Sequence, residues 1–310
     1  MRLGFSIRVL GMAGLPSYDA APQGDGDLSV SLAYLRDIFL YLRANHIRMY
    51  RMHCGLVTAL LRRCPASWRD EIAACAPVLS ALGDLARQGD IRLSFHPFSL
   101  ATLNALDEDR LARSLAVLEA ETALLDALGC GPEGLVVLHV GGVYDDIAAS
   151  RERFIHRYEA LPDLIRRRVA LEHDDRRYPL SETLTIHHAC GVPLVFDNLH
   201  HLTLNPERIP LREALAMALT TWPVGVAPKI HFSTPRTEMK LVGSPARPAP
   251  PRWTEHSDFV NPFAFVDFFH LAEGLGEFDV MLEAKARDLA LLKLREDVRA
   301  HAPEWARRIV

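Results

Sequence analysis

Residues 135–140, LVVLHV, decide the fold of this chain. The segment is a short apolar run with one polar residue, His139, near its end. Strands that are covered by helices on both faces are apolar along their length in this way. The runs PLVFD at 193–197 and DVMLEA at 279–284 have the same form, with Asp197 and Glu283 near their ends. Each run therefore predicts a buried parallel strand that ends in a polar side chain.

Eight runs of this kind alternate with segments of helical periodicity along the whole chain. The predicted strands are residues 2–10, 47–52, 91–96, 135–140, 169–172, 193–197, 228–232 and 278–283. The predicted helices are residues 32–44, 71–87, 109–128, 151–161, 180–190, 211–219, 262–272 and 286–300. Because each parallel pair of strands needs a helical crossover, the alternation predicts a single (β/α)8 TIM barrel, an α/β domain over residues 1–310.

Two segments are predicted to be long loops, residues 11–27 and the Pro-, Gly- and Arg-rich residues 243–252. Both follow a strand. In an α/β barrel, the loops that follow strands lie at the C-terminal mouth, where active sites form.

The composition is that of a soluble globular protein, with 49% hydrophobic and 24% charged residues. A formal net charge of −4 excludes a strongly basic nucleic-acid binder by overall charge, but it is compatible with a local basic groove. We predict no membrane span, and we interpret the first residues, MRLGFS, as a strand and not as a signal peptide. Five scattered cysteines without a C-x-x-C pair indicate reduced thiols and a cytoplasmic location.

Six consecutive predicted strands, the third to the eighth, each end in a histidine, aspartate or glutamate. These residues are His96, His139, Glu172, Asp197, His231 and Glu283. One such residue alone is more often an ordinary hydrogen-bonding group than a metal ligand. Burying all six at one mouth without a cation would be costly for each group. The pattern therefore predicts a centre for divalent ions such as Zn²⁺ or Mn²⁺, which take imidazole and carboxylate ligands.

Further candidates surround this ring of ligands. His200 and His201 follow the sixth strand, and His256 lies in the loop before the last helix–strand pair. Lys229 lies two residues before His231, so its side chain points the same way along a strand. A lysine buried there is neutral, modified to a metal-bridging carbamate, or paired with a carboxylate, and these alternatives stay open.

The strand-end motifs together resemble the UV-damage endonuclease family. They are HP at 96–97, LHVGGVY at 138–144, LE-x-DD at 171–175, FD-x-LHH at 196–201, PKIHFS at 228–233 and LEAK at 282–285. Their order and spacing match over nearly the whole chain, and the family is similar in fold to endonuclease IV and to xylose-isomerase-like barrels. The resemblance implies a monomeric DNA repair endonuclease that nicks damaged double-stranded DNA immediately 5′ of UV photoproducts and some other lesions. The nick would leave a 3′-hydroxyl and a 5′-phosphate.

The resemblance also implies a trinuclear metal centre, usually with Mn²⁺, and Zn²⁺, Co²⁺ or Fe²⁺ are alternatives. It assigns His96, His139 and Glu172 to one ion, and Glu172 would bridge to a second ion. The remaining ligands of the second ion would be Asp197, His231 and Glu283. The ligands of the third would be His200 and His256.

Catalytic and substrate-binding roles follow from the same resemblance. Glu172 would orient the attacking hydroxide, and Lys229 would be the family's modified lysine. Tyr144 and Arg236 match positions near the DNA backbone, and Arg51 is a further candidate for phosphate contact on the rim of the mouth.

The chain departs from the family pattern where the lesion would be read. Ser99 and Leu100 stand where the family places a Gln-Tyr dipeptide that probes the damaged pair, and His173 replaces an asparagine. We interpret His173 as a group that supports a metal ligand. Phe98, Leu100 and Leu56 are either wedges for nucleotide flipping or packing residues.

A second interpretation of the same ligands stays open. Barrels of this superfamily include isomerases, epimerases and iron-dependent oxidases that act on small molecules or peptides, and a fold does not determine the substrate. The net acidity and the altered Gln-Tyr positions favour this interpretation. The motifs around His200 and His256 favour phosphodiester chemistry.

Overall fold

The structure, a computed structural model, describes residues 1–13, 15, 28–144 and 146–309. Its strands are β1 Leu3–Ser6, β2 Met49–Arg51, β3 Arg92–Phe95, β4 Leu135–His139, β5 Val169–Glu172, β6 Leu194–Asp197, β7 Lys229–Phe232, β8 Lys240–Val242, β9 Arg247–Ala249 and β10 Asp279–Leu282. All strands except β8 and β9 form a closed parallel barrel. The predicted TIM barrel is confirmed.

Helices connect the barrel strands along the chain. They are α1 Leu28–Ala44, α2 Gly55–Arg63, α3 Trp68–Ala74, α4 Ala76–Gln88, α5 Glu108–Ala127, α6 Ile147–Glu159, α7 Asp163–Arg166, α8 Leu180–Cys190, α9 Asn198–Thr203, α10 Leu211–Thr220, α11 Pro262–Leu271, α12 Arg287–His301 and α13 Pro303–Ala306. A single 3₁₀ turn, Phe98–Leu100, follows β3.

The barrel closes through β1, which pairs with β2 on one side and with β10 on the other. The order around the barrel is therefore β1 to β7 and then β10. Gly4 lies opposite Met49 in the β1–β2 pair. A Cβ atom added at Gly4 would lie 2.4 Å from the Met49 carbonyl oxygen, so the closing strand needs glycine there.

A small apolar cluster fills the interior of the barrel below β4–β6. Its members are Leu135, Val137, Ala170, Val195 and Trp222. Because side chains alternate along a strand, the next inward positions toward the mouth are His139, Glu172 and Asp197. The apolar filling thus supports the polar ring from below.

Aromatic side chains join the outer helix α11 to β7. The Phe232 ring lies 5.2 Å from the ring centre of Phe265 and 5.1 Å from that of Phe268, both in edge-on geometry. Burial of each such ring stabilises the fold by roughly 1.5–3 kcal/mol. This packing holds the strand that carries His231.

An ion pair closes the N-terminal end of the barrel, opposite the mouth. Arg92 is buried, and its Nη1 atom lies 3.0 Å from Asp279 Oδ2. The same guanidinium donates to the carbonyl oxygens of Glu133 and Ala227 at 3.1 and 2.9 Å. Arg2 contacts Asp279 from the outside at 3.0 Å. Both buried charges are therefore matched.

Some element boundaries differ from the sequence prediction. The helix predicted at 71–87 is two helices, α3 and α4, because Pro77 lies in the first turn of α4 and has no N–H for a continuous helix. The predicted loop at 243–252 is partly wrong, since β9 lies within it and pairs antiparallel with β8. Most of the predicted loop at 11–27, namely 14 and 16–27, lies outside the described residues.

None of the helices that the structure describes has the length and apolar character needed to cross a membrane. In the described part of the chain, the cysteines form no disulfide bonds.

We predict that Asp279→Asn lowers the free energy of unfolding by about 3 kcal/mol, because it leaves the buried Arg92 guanidinium without an anionic partner. Urea unfolding followed by circular dichroism measures the change. Asp37→Asn is the control, since the Asp37–Arg36 pair is exposed and should contribute at most about 0.5 kcal/mol. Equal stability of the two variants would contradict the role assigned to the buried pair.

Candidate metal centre

The carboxyl ends of β3–β7 and β10 bring the six predicted strand-end residues to one place. Strand pairing sets His139 beside Glu172 and Asp197 beside His231. The centre is buried, with Glu172 only 1% exposed and Asp197 and His231 not exposed at all. Residues that are far apart in the sequence therefore form one cluster below the mouth.

The Glu172 carboxylate lies in the middle of this cluster. Its Oε2 atom is 3.0 Å from His96 Nε2 and 3.5 Å from His139 Nε2. Its Oε1 atom is 2.7 Å from His231 Nδ1 and 3.5 Å from His200 Nδ1. Each carboxylate oxygen faces a different pair of imidazoles, which is the arrangement expected of a carboxylate between two ions.

Two groups of side chains in the described part of the chain have ligand atoms within 4.8 Å of one another. They are His96, His139 and Glu172, and Glu172, Asp197, His231 and Glu283. Within these groups, two buried atoms lack a hydrogen-bond partner: Asp197 Oδ2 and His231 Nε2. Unpaired buried polar atoms are costly, and a divalent ion would supply the missing partner. The residues present therefore fit a metal centre of mixed imidazole and carboxylate ligands.

Arg51 lies inside the centre and not on the rim where the sequence predicted it. Its side chain is 2% exposed, and its Nη1 atom is 2.5 Å from Glu283 Oε1. Burial favours protonation of Glu283, but the charge of the adjacent Arg51 guanidinium outweighs burial and holds the pKa of Glu283 well below its usual range. Glu283 is therefore an anion in the metal-free centre. The role of Arg51 as a phosphate contact stays a prediction.

Burial controls the protonation of the other ligands. It raises the pKa of Glu172 well above its usual range. It lowers the pKa values of His96 and His231 well below theirs, with neighbouring histidines and Arg51 acting in the same direction on His96. These imidazoles are consequently neutral, which is the form that binds a metal ion.

Two polar groups behind the ligands hold them in position. His173 Nε2 accepts a hydrogen bond from the Asp197 N–H at 3.0 Å, and the His173 carbonyl oxygen is 2.9 Å from His200 Nδ1. Ser233 Oγ is 2.8 Å from His256 Nδ1. His173 thus has contacts of the kind expected of a supporting group. The sequence reasoning missed Ser233, although it directly follows β7.

Lys229 is fully buried inside the barrel, and its Nζ atom is 3.0 Å from Ser94 Oγ. None of the described carboxylates forms an ion pair with it, so the salt-bridge alternative is wrong for this structure. Burial, with the charges of Arg51 and Arg92, lowers the pKa of Lys229 well below its usual range and so favours the neutral amine. Ser94 was missed, although it lies two residues before His96 on β3 and therefore points inward.

His200 lies beside Glu172, and His256 lies beside Glu283. Their ring centres are 6.4 Å apart, and His256 Nε2 is 3.8 Å from Glu283 Oε2. Neither histidine belongs to the two ligand groups above. A third ion held by this pair stays a prediction.

The two other candidates for DNA contact lie at the mouth. Tyr144 is 40% exposed, and the Arg153 guanidinium lies 5.5 Å from its ring centre. Arg236 is engaged by both carboxylate oxygens of Asp258, at 3.1 and 3.3 Å. A phosphate would therefore compete with Asp258 for Arg236.

A cavity of about 650 Å³ opens beside the metal ligands. His139 and His200 form its inner wall, and Ser99, Tyr144 and Arg176 are among the residues nearer the solvent. The cavity is thus continuous with the cluster and large enough for a small molecule or a nucleotide.

The 3₁₀ turn after β3 borders this cavity. The Phe98 ring stacks on His96 at a centre-to-centre distance of 4.1 Å and is 43% exposed, and Leu100 is 45% exposed. Leu56 is only 6% exposed and belongs to the core. Of the three wedge candidates, Leu56 is therefore a packing residue.

Comparison with known proteins agrees with the site. The UV-endonuclease UvdE family matches residues 28–303. The chain belongs to this family. A UV DNA damage endonuclease of Bacillus mycoides (strain KBAB4) is 31% identical to this chain over 259 residues. The match covers 83% of this chain and 77% of that protein. Another from Bacillus velezensis is 30% identical over 282 residues, 89% of this chain and 83% of that protein.

Solved structures separate the family from the wider fold. The crystal structure of SacUVDE has a TM-score of 0.78 and 26% identity to this chain. The match covers 97% of this chain and 98% of the SacUVDE chain. A D-tagatose 3-epimerase-like protein reaches 0.58 at 12% identity, with 99% of both chains covered. The 3-keto-D-glucoside 4-epimerase YcjR of E. coli reaches 0.56 at 12% identity, covering 96% of this chain and 99% of that one. The two epimerase-type structures share the fold alone.

We predict that this chain, purified without chelator, carries at least two divalent ions, one for each ligand group. Glu172→Gln should lose most of them, because both groups share this carboxylate. Metal analysis by mass spectrometry measures the content. Glu121→Gln is the matched control, since Glu121 is equally buried but lies in α5, outside the centre. A folded wild-type chain that takes up no Mn²⁺ would contradict the metal centre.

We also predict that Mn²⁺ binding to the metal-free chain becomes tighter as the pH rises from about 6 to about 9. Burial opposes the charged form of His200, but Asp197, Glu172 and Glu283 outweigh it and raise the pKa of His200 to about 9. Below that pH a metal ion must displace this proton, so binding is weakest in acid. Calorimetry in buffers of different ionisation enthalpy counts the protons released. A Mn²⁺ affinity that does not change with pH would contradict a protonated His200 in the metal-free chain.

Proposed function

We propose that this chain is a metal-dependent DNA repair endonuclease that nicks double-stranded DNA immediately 5′ of UV photoproducts or related lesions. The observation that carries the proposal is the position of Glu172, whose two oxygens face two sets of imidazoles within one cluster. Membership of the UvdE family and the names of the relatives support DNA as the substrate.

The ligands identified above would hold two to three divalent ions, with Mn²⁺ as our proposal and Zn²⁺, Co²⁺ or Fe²⁺ as alternatives. Such ions supply Lewis-acid chemistry, because they neutralise the phosphate charge and activate a water molecule for attack on phosphorus. The protein must then hold its ligands rigidly and in the right protonation state.

The chain's own residues meet these two requirements. Glu172 is held between four imidazoles and would orient the attacking water. Arg51 keeps Glu283 charged and fixed at the edge of the cluster. His173 fixes the Asp197 backbone. These contacts preorganise the site before the substrate arrives.

Lys229 is our second catalytic candidate. In its neutral form, the buried amine can react with carbon dioxide and release a proton to give a carbamate, and this anion would give the cluster a further oxygen ligand. A mass increment of one carbon dioxide in native mass spectrometry at neutral pH with bicarbonate, absent from Lys229→Met, tests this modification.

We propose that Tyr144 and Arg236 contact the DNA backbone, and that Arg51, which is buried against Glu283, adds positive charge near the phosphate. We further propose a cytoplasmic monomer that acts on damaged duplex DNA.

The decisive experiment is nicking of a labelled duplex with and without one cyclobutane dimer or abasic site, in Mn²⁺. We expect a nick 5′ of the lesion that disappears on chelation and in Glu172→Gln but persists in Glu121→Gln. No nicking by chain shown to carry its metals would shift the proposal to small-molecule chemistry in the adjacent cavity.

We predict weak nicking at cyclobutane dimers, because Ser99 and Leu100 replace the Gln-Tyr pair that the family resemblance implies for lesion probing. The double variant Ser99→Gln/Leu100→Tyr should raise the nicking rate at a dimer several-fold, and leave an abasic site less affected. Competition between the two substrates measures this preference. An unchanged ratio would place lesion recognition in other residues.

A further inference from the structure

An arm projects from the mouth between β7 and α11. We define it as residues 239–253, MKLVGSPARPAPPRW, which include the β8–β9 hairpin. Its base is fixed beside the metal centre, since Pro235 bridges to His256 and the Arg236 N–H donates to the Glu255 carbonyl oxygen at 2.6 Å. Lys240 pairs with Glu255 at the same base. The arm therefore starts at residues next to His256.

The arm exposes an unusual amount of apolar surface. Trp253 is 85% exposed, Leu241 71%, Met239 59% and Val242 42%. A two-stranded hairpin is only marginally stable by itself in water, and contiguous exposed apolar side chains usually mark an interaction site. Such a surface needs a partner that covers it.

The charge of the arm indicates which partner. Three of its fifteen residues are cationic and none is acidic, in a chain whose net charge is −4. Lys240 is neutralised by Glu255, but Arg247 and Arg252 are exposed and form no ion pair with the described carboxylates. Cations interleaved with exposed aromatic and aliphatic side chains suit a polyanion with flat, apolar groups between its charges.

We propose that the arm is a duplex-binding surface that grips DNA beside the cleaved phosphate. This inference rests on the proposed function. Arg247 and Arg252 bind backbone phosphates, and Trp253 and Leu241 pack against sugars and base edges in the minor groove. The arm contributes affinity and positioning, and it takes no part in the chemical step.

The test measures binding and chemistry separately. Fluorescence anisotropy gives the Kd of a labelled duplex containing one cyclobutane dimer, in chelator, across a series of KCl concentrations. Single-turnover nicking in Mn²⁺ at saturating protein gives the rate of the chemical step. Thermal unfolding checks that each exposed substitution leaves the fold intact.

We expect Arg247→Gln/Arg252→Gln to weaken binding about tenfold at low salt and to reduce the slope of log Kd against log salt by about 2. Trp253→Ala should weaken binding roughly five- to tenfold without changing that slope. The saturated nicking rate should stay within about twofold in both variants, because neither touches the metal ligands.

Two controls match these changes on other faces of the barrel. Arg36→Gln/Arg43→Gln removes two exposed arginines from α1, and Val224→Ala shortens an exposed apolar side chain before β7. Neither should change Kd or the salt slope.

Unchanged Kd and slope in the arm variants would overturn the proposal. The proposal would also be overturned if sedimentation experiments showed that the wild type is a dimer and that Trp253→Ala is a monomer. A second copy of the chain would then cover the arm. If duplex binding depended on the arm but the metal-loaded wild type did not nick DNA, the arm would be supported as a duplex-binding surface. The proposed nuclease activity would be refuted.

Discussion

The site depends on one constraint, which is that six ionisable strand-end side chains share one largely buried space. Parallel strands of a barrel bring their carboxyl ends to a common mouth, so the fold itself forces these groups together. Glu172 is the centre of the arrangement because its two oxygens are divided between His96 and His139 on one side and His231 and His200 on the other. Cation binding is the arrangement that makes such a cluster favourable.

The rest of the barrel keeps that cluster rigid. Apolar side chains below β4–β6, with Trp222 at their base, leave little freedom for the ligands above them. The Arg92–Asp279 pair closes the opposite end with matched charges. The groups proposed to face the substrate lie instead on the connections after the strands, the 3₁₀ turn with Ser99 and Leu100 and the arm. The proposed metal ligands thus belong to the core, and the proposed determinants of substrate choice to parts that can vary.

The sequence was sufficient to predict the barrel and the clustering of the strand-end side chains, because apolar runs with a polar residue near the end follow directly from parallel-strand geometry. The two-residue period also placed Lys229 inward. The sequence could not show that Arg51 is buried against Glu283, since that contact joins β2 to a residue more than two hundred positions away. Nor could it separate Leu56, which packs in the core, from Phe98, which reaches solvent. Such distinctions depend on tertiary neighbours that a local pattern does not contain.

The Arg51–Glu283 pair has a consequence for how the protein is assembled. A permanently charged guanidinium occupies part of the cluster beside Glu283, and burial raises the pKa of Glu172 well above its usual range. Charge is therefore partly balanced before any metal arrives. Maturation can then proceed in two separate stages, with the polypeptide acquiring its native architecture first and its inorganic component afterwards. The folded, metal-free chain is then the species that takes up the ions.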